Sequence, residues 1–148
     1  MDLSQPATNE EPNIEVLFNA CYGGYRLPDE AVDLYKIRCG IPDTKRIFGR
    51  SIPRHDPVLV QLFKEFPELF ASHYSFLELE EIPEKFADFY TISEYDGAEC
   101  VHIEREKHAL HLISTLVDDP EMSAESTLDK IREITANFKI IRQPNHLV

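Results

Sequence analysis

What this sequence lacks sets the first limits on its function. No stretch contains the eighteen or so consecutive apolar residues that a membrane-spanning helix needs, so we expect no membrane partner. Positive charge is scarce, because 15 Lys and Arg residues stand against 27 Asp and Glu residues and leave a net charge of −12. The field of such a protein repels a phosphate backbone, and we therefore expect no direct binding to nucleic acid.

Cysteine is also scarce. Cys21, Cys39 and Cys100 are an odd number of thiols without the spacing of a redox or metal motif, which indicates free thiols in a reducing compartment. Residues 1–13 carry acidic side chains and prolines but no apolar segment, so we expect a disordered tail there and no secretory signal. Hydrophobic residues make up 43% of the chain, which is enough for one domain with an apolar core.

The densest local signals lie in residues 14–35. An apolar run beginning at Ile14 predicts a strand, Gly23-Gly24 predicts a tight turn, and Pro28 suits the first position of a helix. A glycine turn between a strand and a helix can bind phosphate through backbone N–H groups. Gly23-Gly24 matches neither the dinucleotide fingerprint nor the P-loop, and we interpret it as a structural turn.

Two later dipeptides have equally specific signals. Asp56-Pro57 predicts the start of a second helix, with Asp56 as its N-cap. Asp96-Gly97 is a dipeptide that two-residue hairpins prefer, and it precedes a predicted return strand over residues 99–104. Both positions are therefore interpreted as structural.

The C-terminal third of the chain is predicted to be helical. Apolar residues recur three or four positions apart from Ala109 to Val117, and again in a last helix capped by Ser123 or Ser126. The apolar face of the last helix comprises Leu128, Ile131, Ile134 and Phe138. We predict that this face is a contact between two copies of the chain across a two-fold axis.

The element order β-α-α-β-β-β-α-α predicts an α+β fold. We expect a single domain over residues 14–148, built on a small, mostly antiparallel sheet with amphipathic helices on one side. A family-like core would span residues 14–104, and the helix pair in residues 105–148 would be an addition to it. The position of the first strand in the sheet is left open.

Groups that could bind a metal are few. Cys100 and His102 share one face of a predicted strand, and His108 and His111 share one face of a helix. Their spacing matches no standard zinc pattern, so metal binding by these four residues stays an open question and we predict no cofactor.

Groups that could carry catalysis are no more specific. Cys21 would be a nucleophile only if the fold brought His55 or His73 to it as a base. A small hydrolase or nucleotide-binding enzyme centred on Gly23-Gly24 is the alternative function. It would require a pocket in which Asn19, Tyr22, Arg54 and Glu94 converge.

Charge is unevenly distributed along the chain. Residues 36–55 contain six Lys and Arg residues and one Asp, a net charge of +5, whereas residues 65–99 contain ten acidic residues and one Lys, a net charge of −9. These regions either pair within one subunit, or are solvated separately, or the basic one forms a salt-sensitive surface for an acidic partner, such as a second copy. The candidate residues of that surface are Lys45, Arg46, Arg50 and Arg54.

Three short motifs occur in order along the chain: NACYGGY at 19–25, IPRHDPVLV at 52–60 and ISEYDGAE at 92–99. In this order they resemble a family of small uncharacterised proteins found in large DNA viruses and tailed bacteriophages. The resemblance covers residues 14–104, with Tyr25 and Pro28 standing where the family more often has Phe and Ser. It carries no known activity, so it implies a context, the virion or the host cytoplasm, and no chemistry.

These observations together predict a non-enzymatic viral structural or interaction protein. We expect it to be packaged in the virion and to act through self-association as a homodimer, with other viral or host proteins as further partners. An acidic protein that binds a basic host factor is a second alternative beside the enzyme.

Overall fold

The chain divides into two compact units, Met1–Ile103 and Glu104–Val148. The structure is a computed structural model that describes residues 10–142, with side chains described for residues 10–138. Four strands and two α-helices lie in the described part of the first unit, and two α-helices lie in the described part of the second. The predicted α+β class is therefore confirmed. Within residues 10–142, no helix is both long and apolar enough to cross a membrane.

The first strand pairs with the strand that follows the second helix. β1 (Asn13–Asn19) and β2 (Leu77–Pro83) are antiparallel, with Leu17 opposite Leu79. Val16 and Leu17 are both fully buried, although neighbouring side chains of a strand point to opposite faces. β1 is therefore covered on both faces in its middle, which explains why Val16, Leu17 and Phe18 are apolar at consecutive positions.

The other two strands form a hairpin and a second sheet. β3 (Tyr90–Tyr95) and β4 (Ala98–Ile103) are antiparallel and joined by Asp96-Gly97, as predicted. Asp96 and Gly97 have φ angles of 50° and 88°, the left-handed pair that suits a two-residue hairpin turn. The strands thus form two two-stranded sheets, where we expected one, and the hairpin lies on the Val16 face of β1.

The helices of the first unit cover the Leu17 face of β1. α1 spans Asp29–Arg38. Pro28 is therefore the N-cap of α1, whereas we predicted it to be the first residue of the helix. α2 spans Pro57–Glu65, and the Asp56 carboxylate accepts hydrogen bonds from the first turn at 2.9 and 3.1 Å, which confirms the predicted cap. Buried side chains of both helices pack with Leu17 in one cluster.

The second unit consists of two helices in its described part. α3 spans Arg105–Val117 and α4 spans Ala124–Arg142. Ser123 caps α4, because its hydroxyl accepts a hydrogen bond from the Ser126 N–H at 3.2 Å. Neither helix contains a buried residue among its described side chains.

The predicted tail falls mostly on residues 1–9, outside the described residues. Its last residues belong to the fold, because Asn13 begins β1 and the Pro12 carbonyl accepts a hydrogen bond from the Glu84 N–H at 2.9 Å.

Candidate functional site

The three sequence motifs meet beside the end of β1. The Leu17 N–H of β1 donates to the Arg54 carbonyl of the second motif, and the Asn19 N–H of the first motif donates to the Glu99 carboxylate of the third, each at 2.8 Å. We name Asn19, Tyr25, Arg54 and Glu99 the motif cluster. Its members come from all three motifs and lie up to 80 positions apart in the chain.

An ion pair lies at the centre of the motif cluster. Two guanidinium nitrogens of Arg54 donate to the two carboxylate oxygens of Glu99, each at 2.9 Å. The side chains are only 18% and 7% exposed, so the pair is largely shielded from water. The Arg54 guanidinium also donates to the Leu17 carbonyl and lies 3.2 Å from the centre of the Tyr25 ring. Both charges are therefore neutralised within the cluster.

Asn19 ties three segments together through its side-chain amide. The amide nitrogen donates to the carbonyls of Cys21 and Gly97 at 2.7 and 2.8 Å. The amide oxygen accepts from the Phe76 N–H at 2.8 Å and from the Cys21 thiol at 3.4 Å. Asn19 is fully buried, and each polar atom of its amide is paired, as burial requires.

Close backbone contacts explain two of the motif glycines. A methyl group on Gly23 would lie 1.3 Å from the Tyr74 carbonyl oxygen, and one on Gly97 would lie 2.7 Å from the Tyr22 carbonyl oxygen. Gly24 has open space around it but a φ of +86°, the region that disfavours other residues. The structural interpretation of Gly23 and Gly24 thus rests on two different physical reasons.

Tyr25 contributes to the motif cluster a buried polar atom without a partner in the described structure. Its side chain is 5% exposed, and its hydroxyl has no hydrogen-bond partner among the described residues. Burial raises the pKa of Tyr25 to about 12, with Arg54 lowering it and Glu99 raising it. The neutral phenol is therefore favoured in the folded state up to strongly alkaline pH.

We expect Tyr25→Phe to reduce the loss of stability at alkaline pH. The folded-state pKa of Tyr25 lies above the ordinary value of 10.0, so the stability that its neutral phenol contributes is fully present below pH 10 and lost as the pH rises toward 12. Between pH 9 and 11 the wild type should lose about 1 kcal/mol more of its free energy of unfolding than Tyr25→Phe does. Urea unfolding at the two pH values measures this. Equal losses in both proteins would contradict the assignment.

The pocket required by the enzyme alternative is not assembled from the four residues named for it. Glu94 accepts a hydrogen bond from the Gly97 N–H at 2.9 Å, and the Tyr22 side chain is 72% exposed. Glu99, which the sequence analysis did not select, is the carboxylate that meets Asn19 and Arg54. Strand alternation could have identified Glu99 from the sequence. It shares its face of β4 with Val101 and Ile103, which pack against the cluster around Val16.

Among the described residues, the Cys21 thiol is hydrogen-bonded to neither candidate base, His55 or His73. The Cys21 thiol donates to Asn19 and, at 3.6 Å, to the Tyr74 carbonyl. His55 Nδ1 instead shares a 2.7 Å hydrogen bond with the Tyr90 hydroxyl. Cys21 therefore belongs to the polar contacts that hold residue 19 and residue 74 together.

The candidate metal ligands are likewise not assembled. No group of three or more His, Cys, Asp and Glu side chains within the described residues could hold a metal ion. Cys100 and His102 lie on the exposed face of β4, where His102 Nε2 is 2.6 Å from the Ser93 hydroxyl. His108 and His111 belong to α3 in the second unit.

The basic segment divides into paired and exposed cations. Arg38 pairs with Glu65 at 2.6 Å, and Arg54 pairs with Glu99, so part of the opposite charge meets within one chain. The other cations of the candidate surface, Lys45, Arg46 and Arg50, are exposed. In the part of the chain that the structure describes, these three make no ion pair.

The candidate interface on α4 is partly open. Leu128 is 47% exposed, whereas Ile131, Ile134 and Phe138 are half-buried. On α3, Leu110, Leu112 and Val117 are 66%, 38% and 62% exposed.

The fold and the site define the class of protein: an α+β protein in which the motif cluster forms a buried polar contact between distant segments. The chain matches no protein-family model, no curated protein and no solved structure.

Proposed function

We propose that the protein is non-enzymatic and works by association, as a homodimer held through the helices of its second unit. The observation that carries the proposal is the lack of any buried residue among the described side chains of α3 and α4, although both helices have apolar faces. Two helices gain most of their stability from burying such faces, and a pair alone leaves part of each face in water.

The apolar arc of α3 supports a second layer of helices. At about 100° per residue the arc runs from Leu112 through Leu116 and Ile113 to Leu110, wider than a single stripe of about 100°. Its middle is half-buried, and its two flanks, which include Leu110 and Leu112, are exposed. A second helix pair would cover these flanks, as in a four-helix bundle.

The charge of the second unit supports a like partner. Residues 104–148 contain eight acidic and six basic residues, a net charge of −2, so residues 1–103 carry −10 of the total of −12. Two copies of the second unit repel each other far less than two copies of the first unit would. A second copy of the same chain is therefore a suitable partner for α3 and α4.

The viral context belongs to the same proposal. The three motifs that resemble the viral family contribute the members of the motif cluster, which is what a fold shared with that family would require. Mass spectrometry of purified particles of the encoding virus tests packaging in the virion. Absence of the protein from the particles, with its presence in infected cells, would restrict the proposal to the host cytoplasm.

We expect Leu128→Asp and Ile131→Asp to convert a homodimer into monomers. A carboxylate in the centre of an apolar interface loses its hydration without gaining a partner. Native mass spectrometry at moderate salt, together with light scattering after size exclusion, measures the subunit count.

Ala136→Asp is the matched control, because it adds the same charge to α4 at an exposed position outside the apolar face. It should remain a dimer, and circular dichroism should show equal helix content in all variants. If both substituted proteins remain dimers, the interface does not lie on this face of α4. A monomeric wild type would contradict the proposed homodimer.

A further inference from the structure

Four exposed aromatic side chains surround the glycine turn of the first unit. Tyr22, Tyr74, Phe76 and Tyr95 are 72%, 68%, 61% and 80% exposed, and we name them the aromatic patch. They are four of the six large hydrophobic side chains that are exposed in the described part of this unit. Apolar residues scattered singly over a surface need no explanation, but a group of four in one place indicates a contact surface.

Backbone contacts place the patch residues on adjoining segments. Gly23 approaches the Tyr74 carbonyl so closely that a methyl group would overlap it, and Gly97 approaches the Tyr22 carbonyl in the same way. The Ala20 N–H donates to the Phe76 carbonyl at 2.7 Å. Residues 20–24, 74–76 and 95–97 therefore lie side by side, and each of these segments carries at least one patch residue.

Exposed acidic side chains lie next to the aromatic patch in the chain. Phe76 directly precedes β2, where Glu78 and Glu80 follow it at alternate positions and are exposed, as a shared strand face requires. Exposed Glu94 and Asp96 flank Tyr95 in the hairpin. Aromatic rings beside carboxylates favour a cationic partner, above all the guanidinium of Arg, which stacks on a ring and pairs with a carboxylate.

The chain itself carries a segment with the complementary chemistry, residues 45–50, which we name the basic loop. Lys45, Arg46 and Arg50 are exposed, and the Arg46 guanidinium lies 5.0 Å from the centre of the Phe48 ring. Phe48 is 62% exposed. The loop thus offers three cations and one aromatic ring.

The basic loop has a fixed backbone. The Ser51 hydroxyl donates to the Phe48 carbonyl at 2.7 Å. A methyl group on Gly49 would lie 2.9 Å from Leu27 Cβ, so the loop packs tightly against a buried residue. A loop held in this way loses little conformational entropy when it binds.

We infer that the aromatic patch of one copy binds the basic loop of a second copy. Both surfaces belong to the same chain, have opposite charge and present aromatic rings to each other, which fits the composition of protein interfaces. Two copies can make this contact twice across a two-fold axis; otherwise one contact leaves a patch and a loop free, and copies add head-to-tail into a ring or a filament. The contact is separate from the proposed helix interface, and the two together would link dimers into larger assemblies.

Complementation between two variants tests the inference. Arg46→Glu with Arg50→Glu reverses two charges of the basic loop and leaves the aromatic patch unchanged. Tyr74→Ser with Tyr95→Ser removes two rings of the aromatic patch and leaves the basic loop unchanged. Both variants of the full chain change only exposed side chains and should fold as the wild type does. Sedimentation velocity at low salt should show larger species for the wild type than for either variant alone.

An equimolar mixture of the two variants should regain the contact, with at least a twofold rise in weight-average mass over either variant alone. The rise should disappear at 0.5 M salt, where charges on exposed groups are screened. Arg26→Glu and Ile37→Ser are control variants at an exposed cation and an exposed apolar residue outside both surfaces, and each should assemble like the wild type.

The state of the mixture separates this inference from the proposed dimer. Assemblies larger than two chains support both contacts, and a complex of one chain of each variant supports the head-to-tail contact without the helix interface. A mixture that sediments as the sum of its components overturns the inference, whatever the subunit count of each component. If the two variants form no complex but an Arg-rich peptide binds the patch, the patch recognises a basic partner other than a second copy.

Discussion

Glu99→Ala should lower the free energy of unfolding by about 3–5 kcal/mol, the range for breaking a buried ion pair by removing one partner. The substitution leaves the Arg54 guanidinium, 18% exposed, without its carboxylate, and removes the acceptor of the Asn19 N–H. Urea unfolding at neutral pH, followed by circular dichroism, measures the change.

Glu94→Ala is the matched control, because Glu94 lies directly opposite Glu99 in the hairpin register and is exposed. Its loss removes one hydrogen bond, to the Gly97 N–H, and should cost about 1 kcal/mol.

Replacement of both partners distinguishes a buried charge from a general packing defect. Arg54→Met with Glu99→Leu removes both charges together, so the double variant should be more stable than Glu99→Ala alone. A Glu99→Ala protein as stable as the Glu94→Ala control would show that the ion pair contributes little to the fold.

Gly23→Ala should destabilise the first unit by about 3 kcal/mol or more, which lies at the upper end for overpacking. The new methyl group would lie 1.3 Å from the Tyr74 carbonyl oxygen, an atom of the backbone that no rotamer change can move away. The segments at Cys21 and Tyr74 must separate, and the hydrogen bond from the Cys21 thiol to the Tyr74 carbonyl is then lost.

The adjacent glycine provides the control for Gly23→Ala. Gly24→Ala meets no atom within 4 Å and is strained only by its φ of +86°, so it should cost about 1–2 kcal/mol. Thermal unfolding of the two variants side by side measures the difference. If Gly24→Ala were the more damaging substitution, the close approach at Gly23 would not be a constraint of the native fold.

The sequence by itself determined those elements whose cause is local. Asp56 caps α2, and Asp96-Gly97 turns the hairpin, because each interaction joins residues at most a few positions apart. Strand alternation and helical periodicity predicted the helices and strands for the same reason, and with them the α+β class.

Only the tertiary structure decided the elements whose cause lies far away in the chain. Glu99 meets Arg54 across 45 positions and Asn19 across 80, and no periodicity in one sequence specifies which Glu of an acidic hairpin does so. Gly23 and Gly24 cannot be distinguished in the sequence. Gly23 must be glycine because the Tyr74 carbonyl, 51 positions away, leaves no room for a methyl group, whereas Gly24 must be glycine because of its positive φ angle.

The division of the strands into two sheets has the same origin. The apolar run of β1 predicted a strand, but not that Val16 would face the β3–β4 hairpin while Leu17 faces α1 and α2. Local chemistry thus determined which elements form and in what order. The contacts between distant segments, which depend on how the whole chain closes upon itself, decided which side chains meet in the motif cluster.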